Sequence, residues 1–319
     1  MSPEKHEGPK RWRKVRLYNE CLLPEDQSER VDVVLVLPRN PLNIGAAARA
    51  MANFGFRRLA VVEPYAPNWR EARSAVGAPE LLQDAKESTT LAEAVAHCTL
   101  VIGTGSLTYR KPEQPVVQLP DLAPLVEREL RRGGRVAVVF GPENHGLSRE
   151  DLSYCQVMVV IPTDERQPSM NLGQAVAVCL YEVATRVGAG GFAEKQASGA
   201  KAQDRFERSA ARLKSCPVTE QSPFAARGEA RGENAARETG VSAASGDLDL
   251  LAGLVEETMR GAGYSPHSMQ GANRHDLRLL LRRVAPADRD LRRMLGLFRR
   301  ILWRFRHPAK DGSRGGKPE

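Results

Sequence analysis

The sequence predicts an α/β fold: a parallel sheet with helices on both faces, followed by a separate α-helical extension. Three observations carry that prediction. Short runs such as VDVVLVLP (31–38) and RVAVVFGPE (135–143) are apolar at nearly every position, as strands buried on both faces are. Segments with helical spacing alternate with these runs, which is the pattern of strands joined by crossover helices. Beyond residue 245 the strand-like runs stop, and apolar residues recur every three or four positions.

Residues 1–30 are polar and mixed in charge, with a basic cluster from Lys10 to Arg16, and read as a flexible arm. VDVVLVLP is the first strand, ended by Pro38. A helix then opens near Asn43 and closes at Gly55, a residue suited to a helix C-cap. RRLAVVEP is a second strand, and LAEAVAHC with TLVIGTGS gives a helix and a third strand. LAPLVERELRRGG is a helix ending at paired glycines, and RVAVVFGPE a further buried strand. VMVVIPTD and the apolar helix NLGQAVAVCLYEVATRVG complete a domain over residues 31–187.

Residues 188–245, rich in Ala, Gly, Ser, Glu and Arg without steady periodicity, read as a flexible linker. Order is expected again over 246–307, beginning with LDLLAGLVEETMRGAGY, and residues 308–319 form a tail. Within this extension Leu277, Leu280, Leu281 and Val284 share one spacing. Leu291, Met294, Leu295, Phe298, Ile301, Leu302 and Phe305 share another across Pro286, predicting a helical hairpin with one apolar stripe per helix.

The formal charge of +8 favours a polyanionic partner, and its distribution points to the hairpin. Between Asn273 and Pro308 stand eleven arginines, three aspartates and no lysine. Guanidinium binds phosphate bidentately and stacks on bases, so Arg278, Arg282, Arg283, Arg292, Arg293, Arg299 and Arg300 are expected to contact RNA. The same run could instead be a solvated helix face, or the hairpin could extend a dimer. The N-terminal residues lack the apolar stretch of a signal peptide, and no run approaches the roughly 20 apolar residues of a membrane span; a cytoplasmic protein without membrane contact is expected. Cys21, Cys98, Cys155, Cys179 and Cys216 are scattered with no zinc spacing, which predicts reduced thiols and no metal.

The chain has no GxxxxGK[ST] loop, no GxGxxG after a first strand, no GxSxG and no HExxH. Three other segments stand at the C-terminal ends of predicted strands, where open α/β sheets place their sites. They are Asn43 with Arg49 in NIGAAARAM, then FGPENHGLS (140–148), then IPTDERQPSMNLG (161–173). Singly, each has an ordinary explanation: Asn43, Ser169 or Asn171 as a helix N-cap, FGPE as a turn, His145 as a loop histidine. Arg49 differs, because an arginine among alanines needs an anion or open solvent for its head group. Gly45 and the alanines 46–48 would let RNA or a partner subunit approach, or would let the helix pack tightly on its own sheet.

Together, in this order and spacing, the three segments resemble the motifs of the SPOUT superfamily of RNA methyltransferases, in its TrmH-like branch of ribose 2′-O-methyltransferases. LVIGTGS and the hairpin LRLLLRRVAPADRDLRRMLGLFRRIL bring the resemblance nearest to the TrmJ-type group acting on tRNA. The stretch before Ser169 departs from the pattern, reading DERQ where a proline and an aromatic are usual, and Met170 replaces a usual leucine.

The resemblance implies a trefoil-knotted sheet, S-adenosylmethionine as cofactor, and a homodimer with the active site at the subunit interface. It implies that Thr104, Gly105, Ser106, Gly141, Ile161, Pro168, Ser169 and Met170 line the cofactor site, largely through backbone groups. Arg49 would be the catalytic arginine, assisted by Asn43, Glu143, Ser169 and Asn171. The substrate it implies is a tRNA, at an anticodon-loop pyrimidine of the position-32 type. Ribosomal RNA as substrate, and a knotted RNA-binding protein without catalysis, are the alternatives.

Overall fold

A computed structural model describes residues 22–107, 111–187, 241–264 and 270–307. Seven strands form one sheet: β1 (Val31–Val36), β2 (Arg58–Val62), β3 (Lys86–Ser88), β4 (Leu100–Thr104), β5 (Val116–Gln118), β6 (Val136–Phe140) and β7 (Val157–Val160). Their order is β3-β2-β1-β6-β4-β7-β5, and every pairing is parallel. All strand C-termini therefore lie at one end of the sheet. β1 and β6 are buried along their whole length, so side chains on both of their faces are covered and the apolar run is continuous rather than alternating.

Helices cover both faces. In chain order they are α1 (Glu25–Ser28), α2 (Pro41–Asn53), α3 (Pro79–Gln83), α4 (Leu91–Val95), α5 (Leu122–Arg131), α6 (Arg149–Ser153) and α7 (Leu172–Arg186). One core joins α2, α5 and α7 to the sheet through Met51, Phe56, Val126, Val176 and Leu180; the other lies under α4 and α6, with Val95, Leu147 and Met158. α2 and α7 approach closely because they are built of small residues. A Cβ on Gly173 would come within 2.6 Å of the Ala46 Cβ, and one on Gly45 within 2.2 Å of Ser74 Oγ and 2.9 Å of the Ala75 nitrogen. The small residues at Gly45 and Ala46 thus accommodate elements of this chain, the loop at Ser74 and Ala75 and helix α7, rather than the sheet packing the sequence suggested as an alternative.

Several details differ from the sequence reading. α2 starts two residues before Asn43, with Pro41 at its first turn and Asn40 as N-cap, its side chain accepting from the Leu42 N–H at 2.9 Å. Residues 22–30, read as part of an arm, hold α1 and the buried Leu23 and Ser28; the rest of that arm, the tail from 308 and residues 188–240 of the expected linker lie outside the described residues. β3 and β5 are three-residue edge strands without an apolar run to announce them. Cys98, Cys155 and Cys179 are buried free thiols, each pushed up by burial, Cys155 and Cys179 to about 12; Cys21 and Cys216 lie outside the described residues.

The described residues from 241 onward hold α8 (Ser245–Gly261), α9 (Gln270–Val284) and α10 (Asp288–Arg306). The hairpin of α9 and α10 closes on α8, so the extension is a three-helix unit around Leu248, Leu251, Leu281, Leu291 and Leu295. Ala285, at φ +45°, ends α9 and turns the chain into Pro286. Leu280, Val284 and Phe305 of the expected stripes are exposed instead. No helix among the described residues is long and apolar enough to cross a membrane.

Candidate active site

The three segments singled out in the sequence meet at the C-terminal end of the sheet. β6 ends at Phe140, and the chain then turns so sharply that a Cβ on Gly141 would lie 2.2 Å from the Leu147 nitrogen. Gly146, at φ +61°, and a hydrogen bond from its N–H to the Pro142 carbonyl at 2.8 Å close that turn. Ser148 then starts α6 with a capping box, its hydroxyl accepting from the Asp151 N–H while the Asp151 carboxylate accepts from the Ser148 N–H. The loop can therefore be narrow because both of its ends are anchored.

Glu143, at the tip of this turn, joins the other two segments. It accepts from Asn43 Nδ2 at 2.7 Å and from the backbone N–H groups of Arg39 and Asn40 at 3.1 and 3.4 Å. Asn171 Nδ2 donates to Asn43 Oδ1 at 2.9 Å, and Asn171 Oδ1 accepts from the Gly173 N–H at 2.9 Å, capping α7. Asn43 is thus a bridge inside α2 rather than its cap, and of the two predicted caps for α7 the structure takes Asn171. Partial burial works to raise the Glu143 pKa, but the hydrogen bonds from Asn43 and from the backbone of Glu143, Arg39 and Asn40 outweigh it and hold the carboxyl below its usual range. The group is ionised at neutral pH.

Beside this network is a cavity of about 440 Å³. Its walls include Thr104, Gly105, Ser106, Gly141, Ile161, Pro168, Ser169 and Met170, all eight of the residues assigned to a cofactor by resemblance, together with Glu143. The sequence reading gave no cofactor role to Phe140, Pro142, Asn144, Gly146, Thr163 and Leu172, although they lie in the segments it singled out, treated His145 as a loop residue, and missed Ala175; all of these line it too. Their positions beside recognised motif residues were the one signal available. The volume suits a nucleoside-sized ligand, and the wall chemistry suits one with a flat apolar part and polar edges: Ile161, Met170, Leu172 and Ala175 are apolar, and Gly105, Gly141 and Gly146 leave backbone groups accessible among them. A Cβ on Gly105 would lie 2.6 Å from Met158 Cε, so a larger residue there would require the end of the Met158 side chain to shift.

Arg49 does not line this cavity. It is exposed on α2, six residues beyond Asn43. The one chain therefore brings together Asn43, Glu143, Ser169 and Asn171 but leaves the arginine apart.

The seven arginines assigned to RNA divide as well. Arg283, Arg292, Arg293, Arg299 and Arg300 are exposed, with Arg292 and Arg293 paired to Asp288 and Asp290 of their own helix. Arg282 is buried, its side chain 1% exposed and bonded to Asp249 and Ser245, and Arg278 is 14% exposed and lies 4.4 Å from the centroid of the Tyr154 ring. These two are corrected: their guanidinium groups are occupied inside the protein.

Residues 30–181 match the SpoU rRNA Methylase family. A relative from Pseudomonas aeruginosa, the tRNA (cytidine/uridine/adenosine-2'-O-)-methyltransferase TrmJ, is 41% identical over 156 residues, covering 49% of this chain and 60% of its own length. The tRNA (cytidine-2'-O-)-methyltransferase TrmJ of Methanocaldococcus jannaschii is 38% identical over 159 residues, 49% of this chain and 68% of that one. Among solved structures, TrmJ from Z. mobilis ZM4 superposes with a TM-score of 0.62 at 25% identity, covering 85% of this chain and 98% of that one.

Proposed function

This chain belongs to the SpoU rRNA methylase family, and on that premise we propose that it transfers a methyl group from S-adenosylmethionine to a ribose 2′-hydroxyl of tRNA, at an anticodon-loop pyrimidine. The observation that carries the reading is the convergence of three separate segments on one cavity with an ionised carboxylate at its rim. Thr104, Gly105, Ser106, Gly141, Ile161, Pro168, Ser169 and Met170 would hold the cofactor, which supplies an electrophilic methyl on a sulfonium centre. Threading of the chain around Gly141 and Pro168 into a trefoil knot belongs to the same reading.

The residues present have two tasks. The 2′-hydroxyl must be aligned for in-line attack on the methyl carbon, and its proton would pass to solvent or to the neighbouring RNA phosphate as the C–O bond forms and the C–S bond breaks. Glu143 orders Asn43, and Asn43 orders Asn171, so the polar rim is fixed before RNA arrives. Arg49 supplies positive charge where a phosphate and a developing alkoxide meet, and a guanidinium remains protonated in water, which favours electrostatic positioning. Its place outside the cavity of its own chain supports delivery from a second copy, in a homodimer that apposes the exposed side of α2. Arg283, Arg292, Arg293, Arg299 and Arg300 would contact RNA phosphates, with a rate that falls as salt rises. The setting of such chemistry is the cytoplasm, where tRNA is modified, and none of these steps uses a metal.

The test is transfer of labelled methyl from S-adenosylmethionine to separate pools of unmodified tRNA and ribosomal RNA, followed by nucleoside mapping. Label in a tRNA 2′-O-methyl nucleoside is the expected result. Label confined to ribosomal RNA would move the substrate while keeping the chemistry, and label in neither would leave RNA binding without catalysis.

A further inference from the structure

The C-terminal unit is docked on the sheet domain of its own chain, and the docking contacts are unusual in kind. Some are simple: the N–H groups of Ser245 and Gly246 donate to the carbonyls of Cys98 and Ala96 at 2.8 and 2.9 Å, the Ser242 hydroxyl donates to Glu129 Oε2 at 3.2 Å, and His275 Nε2 lies 3.4 Å from Glu113 Oε1. Another is built from guanidinium groups on an aromatic ring. Arg278 and Arg282, one helical turn apart on α9, place their Cζ atoms 4.4 and 5.3 Å from the centroid of the Tyr154 ring. Arg278 also pairs with Glu150 of α6 at 3.5 Å and with Asp249 of α8 at 3.7 Å; Arg282 bonds Asp249 and Ser245 of α8, both at 3.1 Å.

Such an arrangement is a poor way to add stability. Arg282 Nε and Nη1 are buried with no hydrogen-bond partner, and so is Asp249 Oδ2. Burying a charge is costly, and an apolar side chain of similar size would glue α9 to α6 at least as well. What a planar guanidinium held between a carboxylate and a ring adds is direction: it specifies one orientation, where apolar packing tolerates several. The element it grips is telling. Tyr154 directly follows α6, and α6 is the continuation of the turn from Gly141 to Gly146 that walls the cavity. The exposed arginines of α10 are therefore registered against the loop beside which the reaction would occur.

We propose that Arg278 and Arg282, stacked on Tyr154, are positioning residues that hold the RNA-facing helix α10 at a set distance and angle from the cavity, and so determine which nucleotide of a bound RNA reaches it. The proposal rests on the RNA methyl-transfer reading above. It also explains why two members of an arginine-rich helix face inward, which a simple phosphate-binding surface would not require.

The test uses the full-length protein with Arg278→Gln, Arg278→Lys and Tyr154→Phe, Arg278 being chosen because it is less deeply buried than Arg282. For methylation of an unmodified tRNA, Arg278→Gln is expected to raise KM about tenfold while kcat and the affinity for S-adenosylhomocysteine, measured by calorimetry, stay within about twofold. Arg278→Lys should recover part of the loss, since it keeps the charge, and Tyr154→Phe should be neutral, since it keeps the ring. An unchanged KM in Arg278→Gln overturns the proposal, as does a parallel loss of cofactor affinity and melting temperature, which would mean general structural damage. If the wild-type protein methylates no RNA, the functional reading fails by itself. Amide hydrogen exchange over residues 149–155 and 274–284 then decides the lock: faster exchange in Arg278→Gln supports it, and unchanged exchange refutes it.

Discussion

Two carboxylates at opposite ends of the parallel sheet, Asp32 and Glu143, are held in opposite ways. At the N-terminal end Asp32 of β1 is buried among basic side chains: Arg58 and His97 bond to its two oxygens, and Arg135 lies 3.8 Å away. Burial acts to raise its pKa, and the bonds from His97 and Arg58 with their charges outweigh that and lower it. Although Asp32, His97 and Cys98 cluster closely enough to suggest a metal site, Arg58 already supplies positive charge at the same carboxylate. At the C-terminal end Glu143 is held by an amide and backbone N–H groups, which keep it ionised without cancelling its charge. A carboxylate closed off by its own basic partners serves the fold, whereas one oriented by neutral donors at a cavity rim is left able to act on a ligand.

The sharpest way to break that contrast is Arg49→Ala. If the open end receives its cation from a second copy, kcat should fall on the order of 10³-fold. The melting temperature should stay put, because Arg49 is exposed. Full activity in this variant would sink the assignment. Next comes Glu143→Gln, expected to lower kcat/KM about 10²-fold with a stability change under about 1 kcal/mol, read by steady-state kinetics and urea melts.

Asp32→Asn should show the reverse: a loss of about 2–3 kcal/mol in urea unfolding, with activity per folded molecule preserved. That figure is set below the range of about 3–5 kcal/mol for broken buried pairs because the basic side chains left behind are partly exposed and can rehydrate. Its pH dependence follows from the lowered pKa. The ionised Asp32 contributes fully above the unfolded carboxyl value near pH 4, and the contribution is lost as pH falls through the lower folded value. The stability gap between wild type and Asp32→Asn should therefore be constant from pH 5 to 7 and narrow below about pH 4. Smallest of all, Arg58→Gln should cost about 1 kcal/mol, since His97 and Arg135 remain; a loss as large as that of Asp32→Asn would mean that one pair, rather than the cluster, closes this end.

The sheet was legible where its strands were long and buried on both faces. VDVVLV and VAVVF could be read directly, while KES and VVQ, short edge strands with exposed residues, carried no pattern to read. The cavity was legible through its motifs, because glycines and prolines at strand ends are rare enough to be noticed. What joined those motifs was not. Asn43 and Glu143 are 100 residues apart, and Asn171 lies 128 from Asn43. Nothing local says that one amide would bridge the other two.

Residue chemistry and period, both local properties, determined the fold class, the order of its elements, the polar segments at the strand ends and the basic character of the last two helices. Tertiary structure alone decided which of those basic residues are free. Arg282 and Arg283 are neighbours in sequence, yet one is buried beside Tyr154 and Asp249 and the other is exposed. A guanidinium takes whichever anion or ring the fold puts beside it. For Arg282 that is Tyr154, 128 residues earlier in the chain and within reach only because α9 docks against α6.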